Sequence, residues 1–240
     1  MEKEQFLTAI TEYSKSINIM LSEEQKNMFY NYMRILIEWN KKINLTAITD
    51  EKDIIIKHFI DSLTVLKYID NKSINLIDIG TGAGFPGIPI KIVNNLNNIT
   101  LLDSLNKRVV FLENVINELK LKQIEAIHSR AEEYIKSGKR EIYDIAVSRA
   151  VANMSTLLEY LLPYIKINGI CICMKGPNID DELKNAKKAL NILGGEIINI
   201  DKFRLPDESK RNIIIIKKVK NTPLKYPRNN NKPLKEPIIG

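Results

Sequence analysis

Apolar positions change their period along this chain, and each change marks an element. Up to about residue 72 they recur at helical spacing: Phe6, Ala9, Ile10 and Tyr13 form one stripe, and Met28, Tyr32, Ile35, Leu36 and Trp39 another. No glycine or proline interrupts this stretch, so residues 1–72 are expected to form a helical N-terminal subdomain. Ser22, with Glu24 and Gln25 downstream, resembles the capped start of the second helix. Trp39 to Asn44 ends that helix, and Thr49 or Asp50 suits the cap of the next, which carries Ile54, His58 and Leu63.

From Ile74 onward short apolar runs alternate with helical patterns. Ile74, Leu76, Ile77 and Ile79 suit a strand buried on both faces, as in a parallel sheet. Ile99–Asp103, Lys122–His128, Tyr143–Ser148 and Ile170–Lys175 read as further strands. Helices are expected near Pro86–Val93, Ser104–Leu119, Leu157–Ile165 and Asp180–Leu193. Glu196–Asp201 and Asn212–Lys217 look like a closing hairpin. The pattern predicts an α/β fold with a doubly wound, mostly parallel, Rossmann-like sheet over residues 73–220.

Residues 221–240 break the alternation. Pro223, Pro227, Pro233 and Pro237 lie among basic residues, so this tail is expected to be extended or disordered in isolation and is a candidate for ordering on RNA. From Lys202 to the end there are eleven basic residues (Lys202, Arg204, Lys210, Arg211, Lys217, Lys218, Lys220, Lys225, Arg228, Lys232, Lys235) against three acidic ones (Asp207, Glu208, Glu236). That excess is larger than the net charge of +7 for all 240 residues, so the rest is nearly neutral and a polyanion is the favoured partner. No apolar run is long enough to span a bilayer, and the first residues lack a basic segment followed by an apolar one. The two cysteines, Cys171 and Cys173, share one face of a strand, poorly placed for a disulfide, and no histidine cluster suggests a metal. A cytoplasmic protein with no membrane association is expected.

The chemistry centres on Asp78-Ile-Gly-Thr-Gly-Ala-Gly84, where the first strand breaks into glycines. Glycines at 80, 82 and 84 permit unusual backbone angles and bring bare N–H groups close to a ligand, and the start of the following helix would favour an anionic group there. A dinucleotide fingerprint needs two residues between its second and third glycines, and here there is one. A Walker A loop is excluded because no Gly-Lys-Ser/Thr follows. Asp103 ends the second strand, where an acid can accept both hydroxyls of a ribose, although a helix cap is the plainer reading of a lone Asp. Gly80, Asp103, Ala131 with Glu132, Arg149, and Lys175 with Gly176 each follow a different predicted strand, and ligands bind outside the carboxyl ends of such strands. His58 and Asp61 lie three apart on a helix and read as structural.

The register of the glycine loop resembles motif I of class I S-adenosylmethionine (SAM) methyltransferases. With Gly84-Phe-Pro-Gly87, Leu102–Arg108, Ser129-Arg-Ala-Glu132, Ser148-Arg-Ala150, Trp39–Thr46, His58–Leu63 and the Tyr226-Pro-Arg228 tail, nearly the whole chain resembles the bacterial 16S ribosomal RNA guanine-N7 methyltransferases, the glucose-inhibited division protein B family. The resemblance implies methyl transfer from SAM to N7 of one guanine in the decoding-centre loop of 16S rRNA. It also implies a class I fold whose last strand is antiparallel. Gly80 and Phe85 would then line the donor's methionine end, Asp103 would meet its ribose, and Ala131 and Glu132 would flank its adenine, with Gly82, Gly84 and Ser104 also among the donor-binding residues. Arg149 would border the donor on the RNA side. No catalytic acid or base is expected, because N7 carries a lone pair and no proton. The partner would be 16S rRNA or the small ribosomal subunit, and the protein would act as a monomer. The Asn229-Asn-Asn231 run departs from the family pattern. A nicotinamide dehydrogenase and a non-catalytic RNA-binding or assembly factor are the alternatives.

Overall fold

The structure is a computed structural model that describes residues 1–70, 73–95 and 97–240. The expected boundary at residue 72 therefore lies outside the described residues. Helix α1 (Lys3–Ser16) buries Phe6 and Ile10, and α2 (Glu23–Ile43) buries Phe29, Tyr32, Met33 and Leu36. The helical stripes have the expected phase, but Met28 and Trp39 lie at the margin while Phe29 and Met33 fill the centre. Ser22 caps α2 in a capping box: its side chain accepts from the Gln25 N–H and the Gln25 side chain accepts from the Ser22 N–H. Asn44, in the left-handed conformation, ends α2. Asp50, not Thr49, caps α3 (Glu51–Ile54). The chain then widens into a π-helical stretch, Ile55–Ile60, followed by α4 (Asp61–Leu63) and a 3-10 turn, Thr64–Tyr68.

Seven strands form one sheet in the order β3-β2-β1-β4-β5-β7-β6. Strands β1 (Asn75–Ile79), β2 (Asn98–Asp103), β3 (Ile124–His128), β4 (Tyr143–Arg149) and β5 (Ile165–Lys175) run parallel. Strand β7 (Lys210–Lys218) is antiparallel to both β5 and β6 (Gly195–Arg204). Alternate residues of each strand feed opposite faces. Leu76, Ile99, Leu101, Val147 and Ile215 share one core with buried residues of α1, α2, α5 (Gly87–Val93) and α6 (Asn106–Glu118). Ile77, Ile79, Leu102, Cys171 and Ile216 pack against α7 (Ala131–Tyr134), α8 (Met154–Leu161) and α9 (Asp180–Leu193). The N-terminal helices thus share the core of one sheet face. The two cysteines are free and buried on the other face.

The tail is docked rather than loose. The Thr222 N–H donates to Glu141 at 2.8 Å, and Tyr226 and Ile238 join the second core. Arg228 makes a forked contact with Glu159, which is fully buried. A final turn, α10 (Lys232–Lys235), lies beside α8, where the Thr156 hydroxyl donates to the Pro233 carbonyl at 2.8 Å. The four prolines rule out a long regular element, but the hydrogen bonds that hold this segment come from side chains of the body. No helix among the described residues is long and apolar enough to cross a membrane.

Candidate functional site

The candidate residues gather at the carboxyl ends of β1 to β5 in two cavities that adjoin at Ala150–Val151. The first is lined by Gly80, Ser104, Ala131 and Glu132 of the expected set. Ile79, Leu102, Val151 and Tyr160 give it apolar walls, and Asn231 reaches it from the tail. Glu132 is 3% exposed and its Oε1 makes no hydrogen bond; the nearest cation is the Arg130 guanidinium at 3.6 Å. Burying an unsatisfied carboxylate oxygen is costly, so this atom is suited to an N–H donor from a ligand.

Gly82, Gly84, Phe85 and Asp103 are not among the residues that line this cavity. Asp103 Oδ1 accepts from the Leu105 N–H and Oδ2 from the Gly82 N–H, each at 2.9 Å, with Arg108 at 3.4 Å. Asp103 is not the cap of α6, whose N-cap is Leu105 without a side-chain bond; its carboxylate organises the turn ahead of that helix and also fixes the glycine loop. Gly82 has φ +63° and a Cβ there would meet nothing within 4 Å, so open space lies in front of the loop. Gly84 is glycine for a different reason. With φ +92°, its Cβ would fall 2.5 Å from Ile88 Cδ1 and 2.7 Å from the Tyr32 hydroxyl, which itself donates to the Ala83 carbonyl. The third glycine is thus required by packing against α2 and α5.

The positive start of α5 is also taken internally. Asp78 Oδ2 accepts from the Gly87 N–H at 2.9 Å and from the Thr81 hydroxyl at 2.6 Å. The expectation that a ligand anion sits there is therefore corrected: the anion is Asp78. Desolvation on burial pushes this carboxyl up to about 6 against those two bonds.

The second cavity is lined by Lys57, His58, Asp61, Arg149, Lys175 and Arg211 among others. Arg149 ends β4 and is turned inward. Its Nη1 donates to the Lys57 carbonyl at 2.9 Å and to Asp61 Oδ2 at 3.1 Å, and its Nη2 lies 3.1 Å from His58 Nδ1. Since a guanidinium only donates, His58 Nδ1 is the acceptor, and the ring proton on Nε2 points to the Thr46 hydroxyl at 2.8 Å. Burial, and then the Arg149 charge, depress His58 to about 3, so the ring is neutral near pH 7. Phe85 stacks on His58 with ring centroids 4.4 Å apart and lies 5.0 Å under the Arg149 guanidinium. The π-helical stretch aligns Lys57, His58 and Asp61 on this arginine, a common use of such widened turns. Ala150, next along, sits at φ +56°, an unfavourable angle for a non-glycine residue placed between the two cavities.

The glycine loop, the β2 acid, Ala131–Glu132 and Arg149 do meet at one edge, as expected. Tyr160, Val151, Asn231, Lys57 and Arg211 were not expected there. Tyr160 falls inside the helix expected near Leu157–Ile165 and Asn231 inside the tail, so neither carries a local sign of its position. No group of three or more His, Cys, Asp or Glu residues able to hold a metal occurs among the described residues.

The family described as rRNA small subunit methyltransferase G matches residues 25–214. A protein named ribosomal RNA small subunit methyltransferase G from Acetivibrio thermocellus is 51% identical over 231 residues, covering 95% of each chain. One of the same name from Desulforamulus reducens is 52% identical over 228 residues, covering 94% of this chain and 95% of its own. Among solved structures, the [4+2]-cyclase SpnF is similar with a TM-score of 0.56 at 12% identity, covering 82% of this chain and 96% of that one. A precorrin-6y C5,15-methyltransferase from Geobacter metallireducens gives 0.53 at 14% identity, covering 66% and 87%. At such identities these two show the fold alone, and a cyclase beside a methyltransferase illustrates how one fold hosts different chemistries. The close relatives decide between them: this chain belongs to the rRNA small subunit methyltransferase G family of SAM-dependent methyltransferases.

Proposed function

We propose that this protein transfers a methyl group from SAM to N7 of a guanine in the decoding-centre loop of 16S rRNA. The observation that carries this reading is the pair of adjoining cavities: one holds the unbonded Glu132 oxygen against apolar walls, the other is rimmed by Lys57, Lys175 and Arg211. The donor belongs in the first cavity. SAM supplies a methyl group on a positively charged sulfur. Glu132 Oε1 is placed to accept from the adenine amino group, and Ala131, Leu102 and Tyr160 give the ring apolar contact. Asp103 keeps a lone pair on Oδ1 beyond those spent on Leu105, Gly82 and Arg108, so with Ser104 lining the cavity beside it the carboxylate can take a ribose hydroxyl. The open space at Gly82 and the surface of Gly80 leave room for the methionine end, with Phe85 as support behind it.

The guanine belongs in the second cavity. Attack by its N7 lone pair needs alignment with the donor and no general base. His58 suits that chemistry by being unable to serve as a base: both ring nitrogens are hydrogen-bonded and the ring stays neutral. Arg149 spends three of its five N–H groups on Lys57, Asp61 and His58. Its part is to hold the π-helical stretch against β4 so that the cavity keeps its shape. Both cavities lie in one chain, so an oligomer is not required, and ribosomal RNA places the work in the cytoplasm. The test is incubation with methyl-labelled SAM and either 16S rRNA or small subunits from a strain lacking this modification. Label in the rRNA is expected; RNA binding without transfer would favour a non-catalytic assembly factor instead.

A further inference from the structure

Every wall of the first cavity but one comes from the ends of β1 to β4, the turns after them, the start of α7 or α8; the exception is Asn231, from the tail. It is held there by a series of buried anchors. The Thr222 hydroxyl donates to the Leu193 carbonyl and its N–H to Glu141, the Tyr226 carbonyl accepts from Arg140 at 2.5 Å, and Arg228 grips Glu159 through two nitrogens. Asn230 and Asn231 follow with φ of +60° and +58°, angles that asparagine tolerates better than most residues. The Asn231 Oδ1 accepts from Arg130 Nη1, and the same guanidinium stands 3.6 Å from Glu132 Oε1. A chain of polar contacts, Asn231 to Arg130 to Glu132, therefore runs along the cavity and ends on its unbonded carboxylate oxygen.

We infer that the docked tail is a wall of the methyl-donor site and that Asn231 is a donor-binding residue, one that fixes Arg130 and so sets Glu132 for the amino edge of the adenine. This rests on the reading of the first cavity as the donor site. It gives the tail a task other than gripping RNA. It also explains why a segment rich in lysine and proline carries so many internal hydrogen bonds. Because coupling between two events is reciprocal, a donor that needs the tail in place must also hold the tail in place.

The test is calorimetric binding of S-adenosylhomocysteine to the full chain and to Asn231→Gly. Glycine adopts φ near +58° without strain, so this variant removes the amide and leaves the backbone path. Affinity should fall roughly fivefold to tenfold, the effect of losing one or two net hydrogen bonds, with an unchanged melting temperature in the absence of ligand. In parallel, S-adenosylhomocysteine should slow tryptic cleavage of the wild-type tail at Lys225, Arg228 and Lys235. Wild-type affinity in folded Asn231→Gly overturns the inference. So does a loss of rRNA affinity with unaltered S-adenosylhomocysteine binding, which would make the tail an RNA clamp, and so does cleavage indifferent to the ligand. Failure of the wild-type protein to bind S-adenosylhomocysteine is a separate result: it removes the donor reading itself.

Discussion

His58 shows how far a residue's chemistry is set by its neighbours. Three residues from Asp61 on a helix, it reads from the sequence as structural, and burial and Arg149 hold it neutral down to about pH 3. His58→Gln is therefore expected to retain methyl transfer, and single-turnover rates should be flat from neutral pH upward; a rate rising tenfold per pH unit would point to a proton-bearing nitrogen as acceptor. The same residue affects stability. An unfolded imidazole takes its proton near 6.5 and the folded one only near 3, so between those values the unfolded chain binds more protons and stability falls as pH falls. Asp78 acts in the opposite sense: raised from 3.8 to about 6, it adds stability at low pH that is lost as pH rises through about 6. In urea titrations below pH 6.5, His58→Gln should remove the first trend, at most about 1.4 kcal/mol per pH unit, and expose the second. An acid profile identical to wild type would mean that His58 is not buried as described.

At the scale of elements, the contact to probe is α2 against the glycine loop. The Tyr32 hydroxyl, fully buried, donates to the Ala83 carbonyl and closes on Gly84. Tyr32→Phe would leave a buried carbonyl unpaired at a cost of about 1–3 kcal/mol. Both the melting temperature and SAM affinity should drop, although no atom of Tyr32 lines the donor cavity; an unchanged SAM affinity would separate the helices from the site. Most elements were legible because their periods are local properties: α1, α2, α9 and the sheet strands follow from spacing, and the caps at Ser22 and Asp50 from short polar side chains. The π-helical stretch was not, because its widened turn is stabilised by Arg149 from β4. Docking of the tail was not either, since Glu141, Arg140 and Glu159 lie far from it in sequence. For the site, the ends of β1, β2, β3 and β4 could be named in advance, but which atoms face the cavity could not. Asp103 and Gly84 turned out to be held by protein partners.

For the whole molecule, the charge excess of the C-terminal part is smaller in effect than its count suggests. Lys218 is fully buried beside Glu141 at 3.1 Å, Arg228 pairs with Glu159, and Arg211 lies 3.3 Å from Asp61. Lys202, Arg204 and Lys210 remain at the surface, lining a groove that meets the second cavity at Arg211. Lys210→Ala should weaken rRNA binding and make the slope of log affinity against log salt shallower by about 1, with SAM affinity untouched. An unchanged slope would move the RNA path away from this groove. The most direct measurement concerns the atom that receives the methyl group. Unmodified 16S rRNA, or small subunits containing it, is treated with the protein and SAM, then with borohydride and aniline, which cut the chain at 7-methylguanosine. One new cut at a guanine of the decoding-centre loop is expected. Incorporation of methyl label without that cut, or no incorporation into either substrate, would contradict guanine N7 as the acceptor.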